Sequence, residues 1–144
     1  MPATSSCTTP IPPWVARFVG IPFVAHGRDY DGCDCWGLLR LVWRDAFGWE
    51  APLHDGPSWE PGTSADEISA IITRESARYP QIEPGSEKEG DGIVLRMRGG
   101  DMHIGVVVTP GRMLHVEEAC ATVVEDYRRP AWRHRIVRFH RFVS

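Results

Sequence analysis

No run of about 18 apolar residues occurs anywhere in this chain of 144 residues, so no segment reads as a membrane-spanning helix. The opening stretch, Met1 to Pro13, is polar and proline-rich. It has neither the charged n-region nor the apolar h-region of a secretory signal. The chain is therefore expected to be made in a cytoplasm, and to reach any other place of action by a different route. An excess of positive charge is also missing: 16 Lys and Arg stand against 19 Asp and Glu, for a net charge of −3. That balance gives no electrostatic footprint for nucleic acid. The arginines between Arg128 and Arg141 alternate with Ile136, Val137, Phe139 and Phe142, which suits a half-exposed strand better than a phosphate-binding arm. Neither nucleic acid nor membrane is expected as a partner.

Cysteine is sparse. Cys7, Cys33, Cys35 and Cys120 are the only four. Without export, a disulfide framework is not expected. Cys33 and Cys35 are too close for a zinc knuckle, and no second cysteine pair follows. Internal repeats and low-complexity tracts are absent as well. The length fits one domain, with residues 1–10 expected as a flexible tail and 11–144 as the folded unit.

The folded part divides by periodicity. Pro12 and Pro13 open a short helix with Trp14, Val15, Phe18 and Val19 on its apolar face, closed by Gly20. A turn-rich loop from His26 to Gly32 follows. Asp34 is placed to cap the next helix. Trp36, Leu39, Trp43 and Phe47 recur there at helical spacing, and Gly48 stops it. After a proline-rich loop, Ser64 and Glu67 form a capping-box pattern ahead of Ile68, Ile71 and Ile72. Gln81 to Glu89 reads as a charged linker. From Gly90 the period becomes two, giving five strands: 93–97, 102–109, 112–117, 122–126 and 135–142. Helices first and antiparallel strands second predict an α+β domain with its helices packed on one sheet.

One constellation carries chemistry. Cys35 falls in the first turn of a capped helix, where the helix dipole and free N–H groups favour a thiolate. His103 interrupts an otherwise apolar strand, and Gly105 leaves room beside it for a helix end to approach. A three-residue loop, Thr109-Pro110-Gly111, would pair Val108 with Arg112. It would set Gly105 opposite His115 and His103 opposite Glu117. His103 and His115 then share one face of the sheet as diagonal neighbours. A loop of two or four residues would put them on opposite faces. Nucleophile, base and orienter are then Cys35, His103 and His115. The same three side chains could instead hold zinc. Cys35 could also be an ordinary buried cysteine. His26 and Arg28 could line the site from the preceding loop. His54, His134 and His140 read as surface residues, and Glu117-Glu118 as a solvated strand end.

Several blocks together resemble one family. Gly20-Ile21-Pro22-Phe23 through His26-Gly27-Arg28-Asp29, then Asp34-Cys35-Trp36-Gly37-Leu38, are the first two. The strand blocks are Gly90-Asp91-Gly92-Ile93-Val94, His103-Ile104-Gly105-Val106 and Met113-Leu114-His115. In these the chain resembles the NlpC/P60 cell-wall cysteine peptidases, a papain-like group, and within it the short forms of phage and gene-transfer-agent tails. The resemblance implies a papain-like fold, with Cys35 as nucleophile, His103 as base and His115 as third member. No cofactor and no metal are expected. The implied reaction is cleavage of peptidoglycan stem peptides next to D-glutamate. The implied setting is a virion-associated tail tip acting at the host cell wall, with other tail-tip proteins as partners. Asp34, Trp36, Phe23 and His26 are the implied substrate-contacting residues. Trp36 stands where many members have serine, and Phe23 where many have tyrosine. A structural tail-tip component with the same fold and little hydrolase activity is the competing expectation.

Overall fold

A computed structural model describes residues 10–50, 59–60 and 62–143. Cys7, His54 and most of the expected tail lie outside the described residues. Two α-helices, α1 (Cys35–Phe47) and α2 (Ala65–Ser76), precede an antiparallel sheet. The strands are β1 (Arg28–Asp29), β2 (Gly32–Cys33), β3 (Gln81–Ile82), β4 (Gly92–Arg96), β5 (Met102–Thr109), β6 (Arg112–His115), β7 (Val123–Asp126) and β8 (Ile136–His140). β1 and β2 form a small hairpin ahead of α1; the other six form one sheet in the order β3-β8-β4-β5-β6-β7.

The expected α+β architecture is present, with two corrections. The sheet has six strands rather than five, because Gln81 and Ile82, in the supposed linker, pair with His140 and Phe139. The first helix is a single 3₁₀ element, Pro13–Arg17, and leaves Val19 half exposed. Both α-helix starts follow their caps. The Asp34 carboxylate accepts from Gly37 N–H at 2.7 Å, and the Ser64 hydroxyl from Glu67 N–H at 3.2 Å. Gly48 ends α1 in the left-handed conformation, φ 70°.

β5 is buried along its whole length, and its two faces serve two cores. Ile104, Val106 and Val108 join Val94 and Leu114 beneath Leu38, Leu39, Val42 and Trp43 of α1. Val107 faces the other way, with Ile93, Leu95, Met113, Tyr127, Trp132 and Phe139. By strand alternation His103 and His115 belong to this second face, while Cys35 comes from the helical layer. Cys35 and His103 both line one cleft beside the start of α1.

The β5–β6 register is the predicted one, reached by a different turn. Thr109 pairs with Arg112, so the loop is only Pro110-Gly111. Proline first and glycine at φ +100° second fit a type II turn. A two-residue loop alone would put the histidines on opposite faces. A bulge between Val107 and Thr109 adds one residue on β5 and restores the parity, pairing Val106 with Leu114. β6 stops at His115, so His103 has no partner in Glu117.

One ion pair fastens the far end. Arg141 grips the buried Asp91 carboxylate through two bonds of 2.9 Å. Arg141→Ala would strand that charge, and a loss of about 3 kcal/mol is expected. Urea unfolding checks it; an unchanged midpoint would mean that water screens the pair.

Candidate active site

Cys35 occupies the first position of α1, directly after its cap. Its sulfur receives the backbone N–H groups of Ile104 and Trp36. The first of these belongs to the residue after His103, so the thiol lies against β5. Cys35 and His103 line one cleft of about 220 Å³, together with Phe23, Trp59, Met102 and Glu117. Glu118, Asp101, Ile68, Met97 and Val116 complete its wall.

Behind His103 runs a relay. His103 Nε2 lies 3.0 Å from His115 Nδ1, and His115 Nε2 lies 2.6 Å from Glu125 Oε2. The Glu125 carboxylate, when ionised, can only accept, so His115 donates from Nε2. His115 Nδ1 then accepts from His103 Nε2–H. The lone pair of His103 is left on Nδ1, the nitrogen free to take a proton from a thiol. His115 is 1% exposed and packs edge-on against Trp132 at 5.0 Å between centroids, which fixes its ring.

Burial dominates the electrostatics. It pushes the Cys35 thiol up to about 12, and the Asp34 charge adds to this against the Ile104 and Trp36 N–H groups. Burial, with His115 beside it, brings His103 down to about 3. Burial thus opposes the thiolate that the helix end favours. Both directions favour the neutral thiol and the neutral imidazole. Iodoacetamide at pH 7 is accordingly expected to label exposed Cys120 well before Cys35, as peptide mass spectrometry would report. Faster labelling of Cys35 would reveal a thiolate at rest.

The other predicted site residues divide. Phe23 lines the main cleft and a smaller adjoining cavity of about 90 Å³. Asp34 lines the smaller one, but its carboxylate is held by Arg28 Nη1 at 2.6 Å as well as by Gly37. Trp36 is not brought to the cleft: it is 3% exposed in the core under α1. His26, at φ 64°, sits 3.3 Å from Glu60 on the rim of the smaller cavity. Gly105 has another use than the expected one. A Cβ there would meet Leu114 O, His115 Cβ and Ile93 within 3.3 Å, so glycine admits the neighbouring strands, not the helix end. His140 is buried, held by Tyr79 O and Arg138, and is no surface residue. Glu117 and Glu118 are cleft residues, not merely a solvated strand end. Cys33 and Cys35 are both free thiols.

Glu125 went unread in the sequence. His115 pairs with Val123 and Met113 with Glu125, so Glu125 is the same-face diagonal neighbour of His115. The signal was an acidic residue at an alternate position of a predicted strand.

A family model described as the NlpC/P60 family matches residues 20–141. The chain belongs to the NlpC/P60 family. A relative from Escherichia coli K12, "Murein DD-endopeptidase MepS/Murein LD-carboxypeptidase", is 22% identical over 129 residues, covering 90% of this chain and 60% of that protein. The chain thus spans 60% of that relative's length, a little under two thirds. The "Gamma-DL-glutamyl hydrolase" of Bacillus subtilis is 22% identical over 144 residues, covering 98% of this chain and 30% of the relative. Among solved structures, the NlpC/p60 domain of the peptidoglycan hydrolase SagA superimposes with a TM-score of 0.60 at 19% identity, covering 88% of this chain and 92% of that one. RipD of Mycobacterium tuberculosis, described as a non-catalytic NlpC/p60 domain protein adapted to peptidoglycan binding, gives 0.58 at 18% identity, covering 90% and 94%. These likenesses establish the papain-like α+β fold.

Proposed function

We propose that this NlpC/P60 domain is a cysteine peptidase of peptidoglycan stem peptides, cutting next to D-glutamate. The observation that carries the reading is one cleft lined by both Cys35 and His103, with His103 at the head of the His103–His115–Glu125 relay. The names of the murein endopeptidase and γ-DL-glutamyl hydrolase relatives support the substrate class.

The resting neutral pair determines the order of events. The Cys35 sulfur attacks the stem-peptide carbonyl carbon as its proton passes to Nδ1 of His103. Substrate entering the cleft brings the carbonyl within reach. The Cys35 N–H, at the first helical position, has no acceptor among the described residues and is placed to stabilise the oxyanion. His103 then gives its proton to the leaving amine as the C–N bond breaks. Water, deprotonated by His103, cleaves the thioester and restores the thiol. Cys35, His103 and His115 are the catalytic set in this reading, and Phe23 is the contact residue best placed to meet substrate.

The competing reading is a domain that binds wall peptides without cutting them. The closed thiol and the likeness to RipD support it. Mass spectrometry of muropeptides incubated with the protein and with Cys35→Ala separates the two. New fragments from the wild type alone support the peptidase; identical spectra overturn it.

The tail-tip setting, with tail-tip proteins as partners at the host wall, rests on the motif blocks alone. The relatives described above are named as murein or peptidoglycan hydrolases, a γ-DL-glutamyl hydrolase and a peptidoglycan-binding protein. Absence of the chain from purified phage-like particles would remove that setting and leave the chemistry untouched.

A further inference from the structure

The relay ends at a second opening. A cavity of about 480 Å³ on the face of the sheet away from α1 is lined by Glu117, Glu125 and Trp132, with Met97, Arg98, Gly99, Ala131 and Arg135. Ligand atoms of His115, Glu117 and Glu125 all lie within 4.8 Å of one another. His115 is buried, and its Nε2 points to Glu125. Among the described residues the Glu125 carboxylate is bonded only to His115, and the Glu117 carboxylate has no hydrogen-bond or ion-pair partner. Arg98 and Arg135 share the wall, yet neither pairs with Glu117 or Glu125; Arg135 lies over Trp132, 5.7 Å from the ring centroid. Two carboxylates thus converge on a buried imidazole with no arginine between them. One nitrogen and two carboxylate oxygens, with space for water, suit zinc.

We propose that His115, Glu117 and Glu125 form a zinc site at the back of the sheet, and that zinc bound there silences the thiol site by reversing the tautomers of both histidines. The binding half stands on the cluster itself. The silencing half rests on the peptidase reading given above.

The reversal follows from where the protons sit. Without metal, His115 carries its proton on Nε2 and His103 on Nε2. Zinc takes the Nε2 lone pair of His115, so that proton leaves to water. A neutral ligating imidazole carries its hydrogen on the other nitrogen. His115 Nδ1 therefore takes the proton that His103 Nε2 held, and now donates to it across the 3.0 Å contact. His103 regains a proton from water at Nδ1. One proton has left and one has entered, with no net change. His103 now presents an N–H to Cys35 in place of a lone pair, and the thiol has lost its base. Of the three ligands only Glu117 also lines the front cleft, and Cys35 is not among them.

The test is calorimetric titration of zinc chloride into the metal-free full chain, into Cys35→Ala and into Glu117→Gln. The expected result is one zinc per chain, with the same affinity in the wild type and in Cys35→Ala. Glu117→Gln should bind at least about tenfold more weakly, with an unchanged circular dichroism spectrum. Loss of binding in Cys35→Ala would place zinc on the thiol and overturn the site. So would equal affinity in Glu117→Gln, or no binding at all. Nitrogen-15 NMR of the imidazoles in Cys35→Ala, which has no thiol and needs no activity, reads the second half. The protonated nitrogen of His103 should move from Nε2 to Nδ1 on zinc addition; an unmoved proton overturns the silencing. A metal-free wild type that binds zinc and shows this shift but cuts no muropeptide overturns the peptidase reading and upholds the metal site.

Discussion

Cys35→Ala is expected to lower the rate of muropeptide cleavage by at least about 10³-fold and to leave the melting temperature nearly unchanged. The size of the loss follows from the step that is removed. Without sulfur no thioester forms, and what remains is whatever the Cys35 N–H and the cleft do for direct attack by water. The small effect on stability follows from the site. Cys35 is buried, but only one sulfur atom is lost, and the cap that starts α1 belongs to Asp34. A variant that unfolds would have lost the helix start, and its melting curve would show it. A variant that folds and cuts as fast as the wild type would show that the thiol is a core residue, which is how its 4% exposure reads in isolation. The decisive comparison is therefore of rates at matched folded fraction.

Much of this site was legible because local rules and packing agree. Asp34 ahead of an apolar period makes a capped helix in any context, and that alone puts Cys35 at the helix end. The alternation of Met102 to Thr109 makes a strand, which puts His103 on it. The face shared by His103 and His115 was reached through a wrong premise. The loop is two residues long, and the bulge at Val108 supplies the missing step of parity. Bulges leave little trace in sequence, since valine suits strand and bulge alike. Glu125 was illegible for a related reason. The segment between β6 and β7 runs from Val116 to Thr122 and carries no tight-turn signature, so nothing fixed which β7 residue would meet His115. Ala119 takes φ 64° in it, a conformation that alanine does not advertise. The opposition of burial to a thiolate was not legible, because the first turn of a helix shows in sequence, whereas desolvation by the surrounding core shows only once the layers are packed. Gln81 and Ile82 were missed because a two-residue strand owes its existence to its partner β8 and has no period of its own.

Glu125→Gln, assayed free of metal, is expected to reduce cleavage by about 10²-fold or more, although residue 125 never meets substrate. The glutamine is nearly the same shape, and its side-chain oxygen could still accept from His115. Its amide group can equally donate to His115 Nε2, and that choice is now open. Each molecule that takes it has the hydrogen of His115 on Nδ1 and that of His103 on Nδ1, facing Cys35 with the wrong end. In the serine-protease triad, the equivalent carboxylate-to-amide change costs about 10⁴-fold through the wrong tautomer. The smaller figure here reflects one more imidazole between the carboxylate and the base, and the exposure of Glu125, whose side chain is 38% accessible and has water to turn in. Glu125→Asp keeps an acceptor-only group on a shorter stem and should recover a large part of the rate. Three rates then separate the roles. If Gln and Asp both match the wild type, the 2.6 Å contact is only a surface ion pair. If both fail alike, with lowered melting temperatures, Glu125 holds β7 in place. Loss in Gln with recovery in Asp, at equal stability, identifies a residue that sets which nitrogen of His103 is free.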